Sequence, residues 1–249
     1  MTIGQTVYRQ ETCSNTMAWA QEECFNAPDG TLFIPNILAQ AQGRQNRVWH
    51  LEEGQVSKTI LLKPALLNES SIQDINHLGM ALALGIMAPF KKYGALLKWP
   101  NDFMLGHKKM GGMRLELVWL ADKPYALILG FSVNINTLFA ADHPVKKSAI
   151  SLAEHCETTF DLAAIDEELI ASLNNYYQRW LNGEGLQLFT EWQDNQLYQQ
   201  GLITVHMLDG SSITGLVQKF TATGDLELLV NDTTHILPFF MVATFEPVL

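Results

Sequence analysis

After Asn182-Gly-Glu-Gly185 and Phe189-Thr-Glu-Trp192 the apolar pattern of this chain changes period, and it does not change back. Leu202 to Met207, Ser212 to Gln218, Leu226 to Val230 and Thr234 to Leu237 are strand-length runs at hairpin spacing, broken at Asp209-Gly210 and Gly224-Asp225. No helical period intervenes, so these runs must pair with one another. Met241 to Phe245 is placed to close them into a small barrel of the SH3 type. Residues 182–192 therefore read as a joint between a first unit, 1–190, and a β-barrel, 191–249.

The first unit mixes both periods. Thr6 to Arg9 is a short β-prone piece, followed by a helix that Ser14 or Asn15 would cap and that carries Met17, Ala18 and Ala20. Thr31 to Leu38 and Thr59 to Leu67 read as strands, and Pro35 suits an edge or a bulge. Ser70 to Tyr93 has the clearest helical signal. Asp74 lies in its first turn, Ile75, Leu78, Leu82 and Ile86 share a face, and Gly94 stops it; Pro89 should kink it or end it early. Ala95 to Trp99, Met113 to Leu120 and Tyr125 to Asn136 are strand-like, and Asp166 to Trp180 is an amphipathic helix. The expected class is α+β: a mixed β-sheet with flanking helices, then the small barrel.

A net charge of -10 argues against a nucleic-acid surface, which needs clustered Lys and Arg. The start has no apolar stretch of the secretory kind, and the longest uncharged apolar run, Leu78 to Phe90, is shorter than the ~20 residues a bilayer requires. Cys13, Cys24 and Cys156 are widely spaced and form no metal pattern. The expectation is a cytoplasmic protein with reduced thiols, no membrane segment and no protein-built metal centre.

Against that acidic background, Lys91, Lys92, Lys98, Lys108, Lys109 and Arg114 gather around a single acid, Asp102. Lys98 ends an apolar strand, where loops present ligand groups. Pro100 fixes its own backbone and delivers Asn101 and Asp102 at a set angle, able to meet a hydroxyl, an amine or a magnesium ion. Gly111-Gly112 offers bare backbone to a phosphate or a flat ring, unless it is a plain hairpin turn. Gly43-Arg44-Gln45-Asn46-Arg47 is a second polar loop whose guanidinium groups suit phosphate or carboxylate.

KWPND (98–102) followed by KKMGGMRLE (108–116) resembles the signature of the biotin–protein ligases, members of the biotin/lipoate ligase superfamily. The likeness extends along the chain. Thr12-Cys13-Ser14-Asn15 falls where that family has an Asp-Ser-Thr-Asn type motif, and Gln40-Ala-Gln-Gly43-Arg44 is similar to its Gln-Thr-x-Gly-Arg. Trp49 closes the same loop, and Gly130-Phe-Ser-Val-Asn134 resembles its Gly-x-Gly-x-Asn strand. The resemblance implies a two-step ligase. Biotin and ATP, with Mg2+, give biotinyl-5'-AMP, and the biotinyl group then passes to a lysine of a biotin carboxyl-carrier protein.

It also implies roles. Lys109, Arg44, Lys98 and Asp102 would act in catalysis, with Mg2+ near Asp102. Cys13, Ser14, Asn15, Gln40, Gly43, Arg44, Gln45, Asn46, Lys109, Gly111 and Gly112 would bind biotin. Arg44, Arg47, Trp49, Lys98, Asn101, Lys109 and Asn134 would bind ATP. The chain departs from the family in a shorter arginine loop, in Cys13 and Ser132, and in Arg114 at a usually apolar place. Those departures leave two alternatives: a biotin-binding relative with weakened catalysis, and a transferase for lipoate or octanoate. The family's N-terminal winged-helix repressor domain is not expected, and a monomer or homodimer fits equally.

Overall fold

A computed structural model describes residues 2–38, 41–43 and 47–248. The strands are β1 Val7–Cys13, β2 Thr31–Leu38, β3 Ala41–Gln42, β4 Val48–Trp49, β5 Gln55–Leu62, β6 Ala95–Lys98, β7 Asp102–Leu105, β8 Lys108–Leu120 and β9 Lys123–Asn134. Five more follow: β10 Gly201–Met207, β11 Ser212–Phe220, β12 Leu226–Val230, β13 Thr233–Leu237 and β14 Val242–Pro247. The helices are α1 Thr16–Glu22, α2 Ile72–Met87, α3 Leu152–Cys156, α4 Leu162–Leu181 and α5 Gly185–Asp194.

Among the described residues, one sheet has the order β1-β2-β5-β9-β8-β7-β6. Its β1–β2 ladder is parallel and every other ladder antiparallel, which makes it mixed. The second sheet has the order β13-β12-β11-β10-β14. A 3-10 turn at Phe239–Met241 carries the chain back so that β14 pairs with β10. The sheet therefore stays open among the described pairings, with β13 and β14 as its edges, where a closed barrel was expected.

α2 forms for the reasons its sequence gives. Ser71 accepts from the Asp74 N–H while Asp74 accepts from the Ser71 N–H, a complete capping box. These bonds hold the Asp74 carboxyl below the ordinary range, the Ser71 side chain contributing most. The expected face at Ile75, Leu78, Leu82 and Ile86 is buried, and so are Met80, Ala81, Ala83 and Leu84 on the far side. α4 and α5 cover that far side, so the helix is apolar all round. Each fully buried leucine there contributes roughly 1.5–3 kcal/mol. The α-helix ends at Met87, two residues before Pro89, and 88–93 continue as a 3-10 turn up to Gly94, at φ 85.

Several expectations are corrected. β2 is internal, but its ladder with β5 stops at Phe33, so Pro35 has no donor to supply on that side. β5 begins at Gln55 and ends at Leu62, ahead of Lys63-Pro64. The 182–192 joint is mostly helix α5, entered without a side-chain cap. Gly111 and Gly112 lie inside β8, and the hairpin turn falls earlier, at Gly106-His107. The apolar core is continuous across both sheets. Trp99 is buried against Phe220 and Phe245, and its indole N–H donates to the Gly224 carbonyl at 2.8 Å.

Candidate functional site

A cavity of about 570 Å3 opens over the middle of the mixed sheet. Register explains its floor. Asp102, Gly112, Ser132 and Ser57 stand directly opposite one another on β7, β8, β9 and β5. The adjacent row is Arg114, Gly130, Thr59 and Phe33. Directly opposed residues share a face, so both rows turn toward the cavity, and all eight line it. α1 forms one wall, the 98–102 turn another, and Ala243–Phe245 of β14 a third.

Lys109 reaches this face through an irregularity. Phe103 opposes Gly111 and Met104 opposes Lys109, which leaves Met110 as an extra residue in β8. Without that bulge Lys109 and Gly112 would face opposite ways. With it, Lys109 Nζ lies 3.3 Å from the position a Gly112 Cβ would take, and 5.2 Å from the centre of the Trp49 ring. Its backbone is held by the 148–150 segment, with N–H to the Ser148 carbonyl at 2.8 Å and its own carbonyl accepting from Ile150 at 3.0 Å. Lys109 Nζ pairs with Asp102 Oδ1 at 2.6 Å.

The Trp-Pro-Asn-Asp segment divides its work. Trp99 anchors it to the second sheet. Asn101 pins it to β8, donating from Nδ2 to the Met113 carbonyl at 2.9 Å and accepting from the Met113 N–H at 3.0 Å. Asp102 serves the ion pair. Lys98 Nζ sits 4.7 Å from the centre of the Phe245 ring. Burial lowers its pKa; Asp102 opposes that shift and Lys109 adds to it.

Of the residues singled out in the sequence, Asn15, Gly43, Arg47, Trp49, Lys98, Asn101, Asp102, Lys109 and Gly112 all line this cavity. Asn15 is there as the cap of α1, its Oδ1 accepting from Met17 and Ala18. The Trp49 indole nitrogen is buried with no acceptor among the described residues. Gln40, Arg44, Gln45 and Asn46 lie outside the described residues. Gly43 accepts from Arg114 Nη1 at 3.2 Å, and Arg47 Nη2 donates to the Ala243 carbonyl at 3.3 Å, so both flanks of the 43–47 loop meet the cavity.

Four others do not line it. Cys13 is packed in an apolar cluster with Met17, Trp19 and Phe33, and Ser14 is exposed. Gly111 faces the other way, its missing Cβ 2.6 Å from the Ser132 carbonyl. Asn134 is spent on the framework, accepting from Gln55 Nε2 at 3.0 Å and donating to the Ile150 carbonyl at 3.2 Å. The basic cluster also splits: Lys98, Lys109 and Arg114 line the cavity, whereas Lys92 pairs with Glu168 at 3.2 Å. Sequence reasoning missed the floor residues Ser57 and Thr59. Their signal was present, since Gln55, Ser57 and Thr59 alternate with Val56 and Ile60 in a central strand.

Chemically, the site brings Lys98, Lys109, Arg114 and Arg47 toward a space floored by bare backbone at Gly112 and Gly130. An anionic ligand can lie flat there, and Asp102 stands beside the cation that would hold it. Among the described residues no three His, Cys, Asp or Glu side chains group as a metal site.

No family profile matches the chain. It is 26% identical over 186 residues to the bifunctional ligase/repressor BirA of Bacillus spizizenii, a match covering 72% of this chain and 56% of that protein. The chain thus spans little more than half the length of that curated relative. It is 23% identical over 215 residues to the biotin–[acetyl-CoA-carboxylase] ligase of Mycobacterium tuberculosis, covering 84% of this chain and 77% of the other. Among solved structures, the biotin protein ligase of Aquifex aeolicus in complex with biotin and ATP shares the fold, with a TM-score of 0.79 at 19% identity over 98% of this chain and 100% of that one. The chain is thus similar in sequence to ligases of this kind and has the fold of the Aquifex aeolicus biotin protein ligase.

Proposed function

We propose that this protein is a biotin–protein ligase, an enzyme forming a C–N bond. Residues 1–190 would be its catalytic unit and 191–249 a C-terminal unit that completes the cavity wall. In the first step a biotin carboxylate oxygen attacks the α-phosphorus of ATP, pyrophosphate leaves, and biotinyl-5'-AMP remains. In the second, the amine of a carrier-domain lysine attacks the biotinyl carbonyl and AMP leaves. The observation that carries this reading is the meeting of Lys109, Lys98, Asp102, Trp49 and both flanks of the arginine loop in one cavity.

Each group has work in that sequence. Lys109 and Lys98 offset the repulsion between carboxylate and phosphate as they approach. Asp102, already on Lys109, can exchange that partner for the incoming ammonium and accept its proton. Trp49 offers a ring face and a buried N–H to the ligand. Magnesium would enter with the nucleotide's phosphates, and Asp102 is the carboxylate placed to meet it. Among the described residues no helix is long and apolar enough to cross a membrane. The reading places the enzyme in the cytoplasm, working on a carboxylase carrier protein.

The test incubates purified protein with ATP, magnesium, biotin and a biotin carboxyl-carrier domain. The expected result is a carrier heavier by one biotinyl group, with pyrophosphate released. Uptake of biotin without pyrophosphate would instead support a binding-only relative. Carrier modification with lipoate or octanoate but not biotin would redirect the assignment to that transferase class.

A further inference from the structure

The turn between β11 and β12, residues 221–225, is gripped from the first unit. Three consecutive carbonyls on it each meet a side chain from that unit. His77 Nε2 lies 3.1 Å from the Ala222 oxygen, Asn76 Nδ2 donates to Thr223 at 2.8 Å, and the Trp99 indole donates to Gly224 at 2.8 Å. A carbonyl only accepts, so the His77 bond puts the ring proton on Nε2. Asn76 and His77 are neighbours on α2, and neither lines the cavity.

The grip is passed on toward the cavity. Residues 221–225 are tied internally: Thr223 Oγ1 donates to Asp225 Oδ2 at 2.8 Å, and the Asp225 N–H donates to Thr221 Oγ1 at 3.1 Å. Asp225 Oδ1 then accepts from the Phe239 N–H at 3.3 Å, at the 3-10 turn that leads into β14. β14 is the wall whose Ala243 carbonyl accepts from Arg47 and whose Phe245 ring stands over Lys98. A run of hydrogen bonds thus joins α2 to the seats of two cations of the site.

Of the three donors, only His77 titrates near neutrality. Burial pushes its pKa below the ordinary imidazole value, opposed by the Ala222 bond and by the Asp74 carboxylate on its own helix. From α5, Phe189 stacks on the ring at 5.7 Å and Gly185 packs against Nδ1, where a Cβ would lie 2.8 Å away. The acids of the neighbouring segments are engaged elsewhere, Glu184 with Arg179 at 2.9 Å and Asp225 with Thr223 and Phe239. The docked turn therefore keeps the ring neutral, and a turn that lifts away opens it to water and to a proton. Docking weakens as pH falls below the ordinary imidazole value of ~6.5.

We propose that Asn76 and His77 are positioning residues for the nucleotide, which hold the β14 wall, and with it the seats of Lys98 and Arg47, through residues 221–225 and Phe239. This rests on the ligase reading, but hydrogen exchange reads the wall without turnover. The whole protein is compared as wild type, Asn76→Ala, His77→Leu and His77→Gln, the last keeping an N–H donor that cannot titrate. Deuterium uptake is followed by mass spectrometry, beside the KM for ATP and the calorimetric Kd for biotin.

Near neutral pH, Asn76→Ala and His77→Leu should each speed exchange across 221–225 and 239–245 about 5- to 10-fold, the effect of one lost hydrogen bond, with β5, β8 and β9 unchanged. The KM for ATP should rise by a similar factor, biotin affinity should stay within twofold, and His77→Gln should keep the wild-type values. In acid, below pH ~6, the KM for ATP should climb more steeply in wild type than in His77→Gln. Exchange and KM within twofold of wild type in both donor-less variants overturn the proposal. So do faster exchange throughout both sheets with biotin weakened as much as ATP, and an equally steep acid rise in His77→Gln. Wild-type protein that labels no carrier overturns the ligase reading, and the exchange result still decides whether Asn76 and His77 hold the wall. If His77→Leu does not fold, Asn76→Ala decides.

Discussion

Gly111 and Gly112 are neighbours in one strand, yet adding a single methyl to each should have opposite consequences. At Gly111 the new Cβ would lie 2.6 Å from the Ser132 carbonyl oxygen and 3.2 Å from Val133 Cα. Both obstacles are backbone of the adjacent strand, so relief requires β8 and β9 to part in the middle of the sheet. Overpacking of this kind costs typically 1–3 kcal/mol. For a chain of this size each kcal/mol shifts Tm by roughly 2–4 °C, which gives a drop of about 2–12 °C. At Gly112 the nearest atoms are Lys109 Cε at 3.2 Å and Nζ at 3.3 Å, the free end of a flexible side chain. The fold can yield there, and loss of unfolded-state freedom offsets part of the strain by about 0.4–1 kcal/mol. The ligand cannot yield so easily, because the methyl fills the bare floor and pushes Lys109 off its position. A misplacement near 1 Å costs about 100-fold in rate. Gly111→Ala should therefore melt early, and Gly112→Ala should melt like wild type while losing most carrier biotinylation. Melting curves and carrier mass spectrometry read the two effects separately. A Gly112→Ala protein that melts as early as Gly111→Ala and keeps full turnover would refute the assignment of faces.

Three further outcomes follow from the site. Lys109→Ala should lower carrier biotinylation by roughly 100- to 1,000-fold. Its Tm should change little, because the partly exposed pair with Asp102 contributes at most ~1 kcal/mol; retained turnover would remove Lys109 from the mechanism. Lys98 has a pKa lowered chiefly by burial, so the folded protein gives up this proton before the unfolded chain does. The charged Lys98 thus costs stability below its folded pKa, and that cost fades as pH climbs toward the ordinary lysine value of ~10.4. The same shift should end activity early on the alkaline side, and Lys98→Arg should move that limb of kcat/KM upward; an unmoved limb argues against a charge requirement. Trp99→Phe should cost about 1–3 kcal/mol by leaving the Gly224 carbonyl without its buried donor, read as the denaturant midpoint.

The sequence was legible where one residue type has one physical use. Asp74 in a first turn and the face of Ile75, Leu78, Leu82 and Ile86 announced a helix, Gly94 its end, and the Lys98–Asp102 segment a turn that presents groups. It was opaque where geometry depends on a partner strand. Nothing in KKMGGMRLE marks Met110 as an extra residue in the ladder, yet that bulge decides which face Lys109 occupies. Cys13 and Asn134 fell in ligand-like positions of motifs, but strand alternation and neighbouring amides turn them into framework. β7 was missed because Asp102–Leu105 spans only four residues after a proline turn. α5 was missed because it begins at a glycine with no side-chain cap. The polar positions of β5 looked unremarkable until the register set them beneath the cavity.

Trp99 gives the two sheets a shared fate. The residue that introduces the Pro-Asn-Asp turn is itself clasped by Phe220, Phe245 and the Gly224 carbonyl from the far end of the chain. Cutting the chain before residue 201 would not yield a smaller working enzyme. It would strip the wall from the binding space and leave an indole in water at the root of the turn. Changes near the C-terminus, remote in sequence from every charged group of the site, should accordingly be felt first as lost activity.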